Sequence, residues 1–443
     1  MIEKVTAANI GSIANSVFRG YAQRYVDIEE GFREAVAGFG VPFAEPAGEG
    51  GREAAVGELA SLGVRVLNDG KSLVAGWRST ACEACRLGMG TETFVMTLAC
   101  PRRCFFCFNP NQADFDGRAA APRDAVGQLE ARARAGARLR HVALTGGEPM
   151  LYPDEAVAFF ERARELFPGV HARLYTSGAG LDGELLARLR DAGLSEIRFS
   201  IKTDEGAADI EHTLGLIGQA VGVIPDVVVE MPVMPGELDL MKGLLVRLDA
   251  LGARGINLLE LGFPLFNGEE FARRGLELKG APYRVLYDYA YAAGLPVAGS
   301  EEACLELLRF ARDEGLSLGV HYCSMENKHT GQVYRQNAPC AGRYPLRRMS
   351  GRDHFLKSAK AFGGDRAAVR EVLAREGARF EDSDDLDSTE FPLDAVALLC
   401  GELPDVELAV SYAICEPRDG EVVLRELRLD RTTPSTFDFE RDW

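Results

Sequence analysis

The sequence predicts an α/β fold: a partial, TIM-like (β/α)6 barrel with a small N-terminal appendage and an α+β domain at its C-terminal end. Two observations carry this expectation. Between Thr93 and Pro264, six short apolar runs alternate with helix-spaced segments at a regular step, the pattern of strand–helix units around a parallel sheet. After about residue 352 that alternation gives way to an acidic run and a hairpin pattern.

Residues 1–92 read as the appendage. Glu29–Phe39 has helical spacing, Pro42–Gly51 is a Pro/Gly-rich linker, and Arg52–Leu62 reads as a helix. Val64–Val74 reads as a hairpin, because Asn68-Asp69-Gly70 tolerates the left-handed backbone of a tight turn. In the barrel, residues 93–264, strands are expected at Phe94–Ala99, His141–Thr145, Val170–Thr176, Glu196–Lys202, Val227–Val233 and Gly255–Leu261. Helices are expected at Ala125–Ala137, Asp154–Leu166, Gly183–Gly193, Ile210–Val221 and Leu238–Leu251. Residues 265–351 read as a barrel extension with two more helical patterns and a further strand at Leu316–Tyr322. In residues 352–443 a helix at Asp365–Glu376 precedes the acidic run Glu381–Asp387. A helix near Leu393–Leu399 follows, then a hairpin of Glu407–Glu416 with Glu421–Leu429 about the turn Pro417–Gly420.

The chain of 443 residues is 47% hydrophobic and 26% charged, which is ordinary for a globular protein. It has no apolar stretch of membrane-spanning length and no apolar signal core near its start, so a cytoplasmic protein with no membrane partner is expected. A net charge of −17 argues against binding a phosphate backbone, so nucleic acid is not an expected partner. Ten cysteines without a secretion signal read as metal ligands and core thiols, not as a disulfide framework.

Three of these thiols are Cys100, Cys104 and Cys107, in the run CPRRCFFC after the first barrel strand. Three thiolates hold three irons of a [4Fe–4S] cube and leave the fourth iron open to a ligand, whereas a zinc loop is the alternative the spacing leaves open. Gly146-Gly147-Glu148-Pro149 follows the second strand, where glycines let backbone approach a ligand closely and Glu148 offers acceptors. Ser200 and Lys202 end the fourth strand, Ser177 ends the third, and Glu230 and Asn257 lie on later strands. Barrel strands carry functional residues at their C-terminal ends, so these groups should share one rim.

A second set is Cys82 and Cys85, written C-x2-C, with the distant Cys323 and Cys340. Four such thiols suit a second iron–sulfur cluster or a zinc ion, with His321 and His329 as reserve ligands. Cys304, Cys400 and Cys415 sit in apolar contexts and read as core.

The succession of strand and CPRRCFFC, then TGGEP, then SIK resembles the radical S-adenosylmethionine (radical SAM) superfamily over residues 93–264, and within it uncharacterised proteins similar to pyruvate formate-lyase activating enzyme. The resemblance implies that Cys100, Cys104 and Cys107 hold an oxygen-sensitive [4Fe–4S] cluster whose open iron binds SAM. It implies that Phe106 lies near the adenine, that Gly146, Gly147 and Glu148 bind the methionyl amino group, and that Ser177, Ser200 and Lys202 contact the ribose and carboxylate. It further implies reductive cleavage of SAM to a 5′-deoxyadenosyl radical, hydrogen-atom abstraction from a small-molecule or amino-acid-derived substrate, and a reducing partner such as flavodoxin or ferredoxin. A peptide-modifying maturase or glycyl-radical activase is the alternative within that chemistry; a non-catalytic iron–sulfur or zinc scaffold is the alternative outside it. Ninety-two residues ahead of the barrel are short for a cobalamin domain, which weighs against a B12-dependent methyltransferase.

Overall fold

A computed structural model of the chain describes residues 1–46, 50–286 and 294–442. Residues 47–49 of the Pro/Gly linker and 287–293 of the barrel extension lie outside the described residues. The chain divides into two compact units. One, here the core unit, comprises residues 39–281 and 292–328; the other, the terminal unit, comprises 1–38, 282–291 and 329–443.

The core unit is built on one nine-stranded sheet. Its strands are β1 (Arg65–Leu67), β2 (Ser72–Ala75), β3 (Thr91–Thr97), β4 (His141–Gly146), β5 (His171–Thr176), β6 (Leu194–Phe199), β7 (Asp226–Val233) and β8 (Gly255–Glu260). A short pair, β9 (Gly262–Phe263) with β10 (Leu295–Pro296), stands apart, and β11 (Gly319–Cys323) completes the sheet. The order is β1-β2-β11-β8-β7-β6-β5-β4-β3, with β3 through β8 and β11 all parallel and β2 and β1 antiparallel at one edge.

Side-chain alternation explains the layering. Leu174, Ile197, Phe199, Val229, Ile256 and Leu258 join a large apolar core with helix residues such as Phe159, Leu186, Leu214 and Leu245. The intervening residues Arg198, Glu230, Asn257 and His321 hydrogen-bond to one another on the opposite face. The helices start and stop where chemistry directs. Asp182 caps Gly183–Ala192 by accepting from Leu185 N, and Gly193, at φ 105°, ends it in a conformation that favours glycine.

Three expectations are corrected. The parallel array has a seventh strand, β11, rather than six. The segment before residue 92 is not separate from the barrel: helix α2 (Gly51–Ser61) and the β1–β2 hairpin belong to the core unit, because β2 pairs with β11. The boundaries at 264 and 351 likewise do not coincide with the compact units.

The terminal unit is a six-stranded antiparallel sheet of β12 (Arg348–Met349), β13 (Leu356–Phe362), β14 (Glu381–Ser383), β15 (Ser388–Phe391), β16 (Leu408–Arg418) and β17 (Glu421–Thr432). Helix α1 runs over Ser16–Ala37, longer than the expected Glu29–Phe39, because the Asn15 side chain caps it by accepting from Val17 N and Phe18 N. Phe18, Ala22 and Val26 of α1 pack with Phe362 and Leu429 of the sheet. No helix among the described residues is long and apolar enough to cross a membrane.

Candidate active site

A cavity of about 580 Å³ opens at the C-terminal ends of the parallel strands of the core unit. Its wall includes Cys100, Cys104, Phe106 and Cys107 from the loop after β3, Gly146 and Gly147 from the turn after β4, and Ser177, Ser200 and Lys202. Sequence reasoning expected these residues on one rim, and they line one cavity. Ser200 and Lys202 stand just beyond β6 rather than within it.

The two glycines act first on the protein's own backbone. Gly147 N donates to Thr97 O at 2.7 Å and Glu148 N to Ala99 O at 2.8 Å. A Cβ on Gly146 would stand 2.0 Å from Thr97 O, and one on Gly147 2.1 Å from Ala99 O, so the turn can seat against the cysteine loop only without side chains. Asn109 Nδ2, just past the third cysteine, donates to Gly146 O at 3.0 Å and ties the loop back to the turn.

Glu148 departs from its expected role as an acceptor for a ligand ammonium. It is fully buried, and both carboxylate oxygens already accept from the protein. Oε1 takes Met150 N at 3.0 Å and Thr176 Oγ1 at 2.7 Å, while Oε2 takes Ser177 N at 2.7 Å and Ser177 Oγ at 2.6 Å. Glu148 therefore braces the β5 end against the Gly-Gly turn, and Ser177 keeps its oxygen lone pairs toward the cavity it lines.

Burial pushes the Cys100 thiol up, with Glu148 and the other two cysteines adding to the shift. Burial also raises Cys104, although the Lys202 ammonium, bonded to it, works in the opposite direction. Lys202 Nζ also donates to Ser200 Oγ at 2.7 Å and stands 5.5 Å from the Phe106 ring centroid. One cation thus links three of the expected site residues.

Of the cavity floor, sequence position pointed to Glu230 and Asn257 but not to Arg198 or Tyr175. Arg198, 4% exposed, donates through Nε to Glu196, through Nη1 to Tyr175 Oη at 3.2 Å and Glu230 Oε2 at 2.6 Å, and through Nη2 to Cys82 Sγ at 3.4 Å. Asn257 Nδ2 also donates to Glu230 Oε2, at 2.7 Å. Because Asn257 Oδ1 can only accept, His321 donates to it from Nδ1 at 2.9 Å, and His321 Nε2 accepts from Ser72 Oγ at 3.0 Å. Burial holds the His321 imidazole neutral, its pKa lowered to about 3. Period-two spacing from Ser177 and Ser200 back through Tyr175 and Arg198 would have found these floor residues.

The family model described as the Radical SAM superfamily matches residues 94–242, which span the cysteine loop, the Gly-Gly turn and most of this floor. Over those residues, about a third of its length, the chain is similar to the radical SAM superfamily. A Methanocaldococcus jannaschii protein named as a glycyl-radical enzyme activating enzyme is 28% identical over 55% of this chain and 62% of its own. The PqqA peptide cyclase of Methylorubrum populi is 37% identical over 27% of this chain and 30% of its own, so the chain spans less than two thirds of either relative. Among solved structures, the radical SAM coproporphyrinogen III oxidase of Escherichia coli matches at 15% identity over 54% of this chain and 57% of that one, with a TM-score of 0.37.

Within the core unit lie three of the four thiols of the second set. Cys82 and Cys85 sit on helix α3 (Thr80–Leu87), which leaves β2 and leads to β3; Cys323 ends β11. Burial pushes the Cys323 thiol up to about 11, and Cys85 and Cys82 contribute to that shift, which puts the three within electrostatic reach. Cys340 belongs to the terminal unit, where its sulfur is bonded to Cys415, so the ligand and the core thiol of the sequence reading are one disulfide. His321 spends both ring nitrogens on Asn257 and Ser72, and His329 lies in the terminal unit stacked on Tyr283 at 4.5 Å. Cys304 is buried in the apolar core as expected.

Among the described residues, one group of His, Cys, Asp and Glu brings its ligand atoms within 4.8 Å of one another: His171, Glu196 and Asp226, at the opposite strand ends. Glu196 there is already engaged by Arg198 and Ser79, which makes the trio an ion-pair network.

Proposed function

We propose that the chain is an enzyme that binds a [4Fe–4S] cluster through Cys100, Cys104 and Cys107 and reductively cleaves SAM beside it. The hydrogen atom is then taken from a small-molecule or amino-acid-derived substrate. The observation that carries this reading is the single cavity on which all three cysteines, Lys202, Ser200 and Ser177 converge. The cluster supplies a low-potential electron and an open iron for the amino and carboxylate groups of SAM.

This chain's own residues do the rest. Phe106 offers an aromatic edge at the cavity wall, and Lys202 offers an ammonium to a carboxylate. Ser200 and Ser177 offer hydroxyl oxygens to ribose. The carbonyl of Gly147 and the hydroxyl of Thr145, both on the wall, replace Glu148 as acceptors for an ammonium. Proximity of SAM to the cluster makes the electron transfer productive, and the enclosing wall limits water at the reacting carbon.

A peptide-modifying reaction is the second reading, favoured by the curated relatives named as PqqA peptide cyclases; the archaeal relative's name favours a glycyl-radical activase instead. The trio Cys82, Cys85 and Cys323 supports a second metal, as iron–sulfur or zinc, with ligands beyond these three still to be supplied. A low-potential flavodoxin or ferredoxin is the electron donor this chemistry requires.

The test is 5′-deoxyadenosine release by anaerobically reconstituted protein given SAM and dithionite. Cys104→Ala is expected to abolish release and to remove about four irons per chain. A wild-type protein that holds its cluster yet releases nothing under any reducing condition would be a scaffold, not this enzyme.

A further inference from the structure

The cavity floor carries a donor and an acceptor that the protein leaves for a ligand. Tyr175 Oη accepts from Arg198 Nη1 at 3.2 Å, and among the described residues nothing accepts its hydroxyl proton. Glu230 Oε2 accepts from Arg198 and Asn257, and among the described residues nothing donates to Oε1. Both side chains line the cavity, and one guanidinium nitrogen bonds both, so the Tyr175 hydroxyl and the Glu230 carboxylate are held on one layer of its wall. Glu230 is the one acidic side chain on the cavity wall among the described residues.

Charge on this layer argues for a neutral ligand group. Arg198 is bonded to Glu230 and Lys328 adds to the field there, so a further ammonium meets two cations near one free oxygen. A ligand carboxylate would face the Glu230 carboxylate. A neutral group whose acceptor and donor point the same way meets neither cost, and a primary carboxamide, with one N–H syn to its carbonyl, is that group.

We propose that Tyr175 and Glu230 recognise a primary carboxamide of the substrate, Tyr175 Oη donating to its carbonyl and Glu230 Oε1 accepting from the N–H syn to that carbonyl. The substrate class is therefore a molecule that carries a primary carboxamide. This deepens the proposed function and rests on the reading of this cavity as the substrate cavity. Arg198 and Asn257 position the pair and do not touch the ligand themselves.

The test uses two probes that share a carbonyl and differ in the N–H beside it: phenylacetamide and methyl phenylacetate. Their binding to anaerobically reconstituted holoenzyme with SAM is measured by ligand-observed NMR. A hydrogen bond to a charged acceptor predicts that the amide binds about 10- to 100-fold tighter than the ester. Glu230→Ala is expected to erase that preference by weakening the amide alone. Tyr175→Phe is expected to weaken both probes alike, since both keep the carbonyl. Wild-type protein that does not distinguish the probes overturns the proposal, as does a Tyr175→Phe variant that leaves both unchanged. Iron content and melting temperature report whether Glu230→Ala is folded; if it is not, the Tyr175→Phe arm decides. Amide preference without 5′-deoxyadenosine release would sink the proposed function while leaving the recognition site standing.

Discussion

Gly147 sits where two backbones meet, and the contact leaves no room for a methyl group. Its hypothetical Cβ lies 2.1 Å from the Ala99 carbonyl oxygen, so Gly147→Ala must push the turn away from the loop that carries Cys100. The expected cost is about 1–3 kcal/mol of stability, the usual range for overpacking, with lower iron retention although every cysteine is intact. Thermal melts and iron analysis check this; unchanged values for both would mean that the turn and the loop are not mechanically linked. Glu148, beside it, was read as a ligand for an ammonium. Its partners Thr176 and Ser177 lie on the next strand of the sheet, and no spacing within GGEP announces them.

At the scale of elements, α3 is where sequence and structure part most instructively. Its C-x2-C pattern was legible, since i and i+3 share a helix face, and Cys323 was legible as a distant partner. What was not legible is that α3 connects β2, at one side of the sheet, to β3 at the other, because β2 pairs with β11 across more than two hundred residues. The six central strands declared themselves through apolar runs, and their observed ends differ from expectation by a few residues. Among their inward-facing polar residues, Glu230 and Asn257 were recommended by position alone, and Arg198 did not stand out, because the three acquire meaning only when neighbouring strands align them. Replacing Cys82 and Cys85 with serine is expected to lower total bound metal while the SAM cluster's absorbance and about four irons remain. Unchanged metal content in the double variant would make the pair structural.

On the scale of the whole molecule, the terminal unit is held by buried charge as well as by apolar packing. Burial alone would raise the Glu426 carboxyl, but Lys360 and Arg347 hold it down to about 2, and Tyr21 and Tyr25 of α1 donate to the same carboxylate. A folded pKa depressed from 4.5 means stability that is fully present above about pH 4.5 and lost as pH falls toward about 2. Urea titrations of the full chain at stepped pH should show this loss, and Glu426→Gln should flatten it; an equally steep dependence in the variant would place the cause elsewhere. The same unit joins segments far apart in the sequence. Glu3 pairs with Arg431, 428 residues away, and α1 packs on β17. At about 5–20 residues per second, ribosomal synthesis separates those two partners by roughly 20–90 s. Through that interval Phe18, Ala22 and Val26 are out of the exit tunnel with no native surface to cover them. Helix α1 thus stays open to mispairing until β17, which covers its apolar face, has been synthesised.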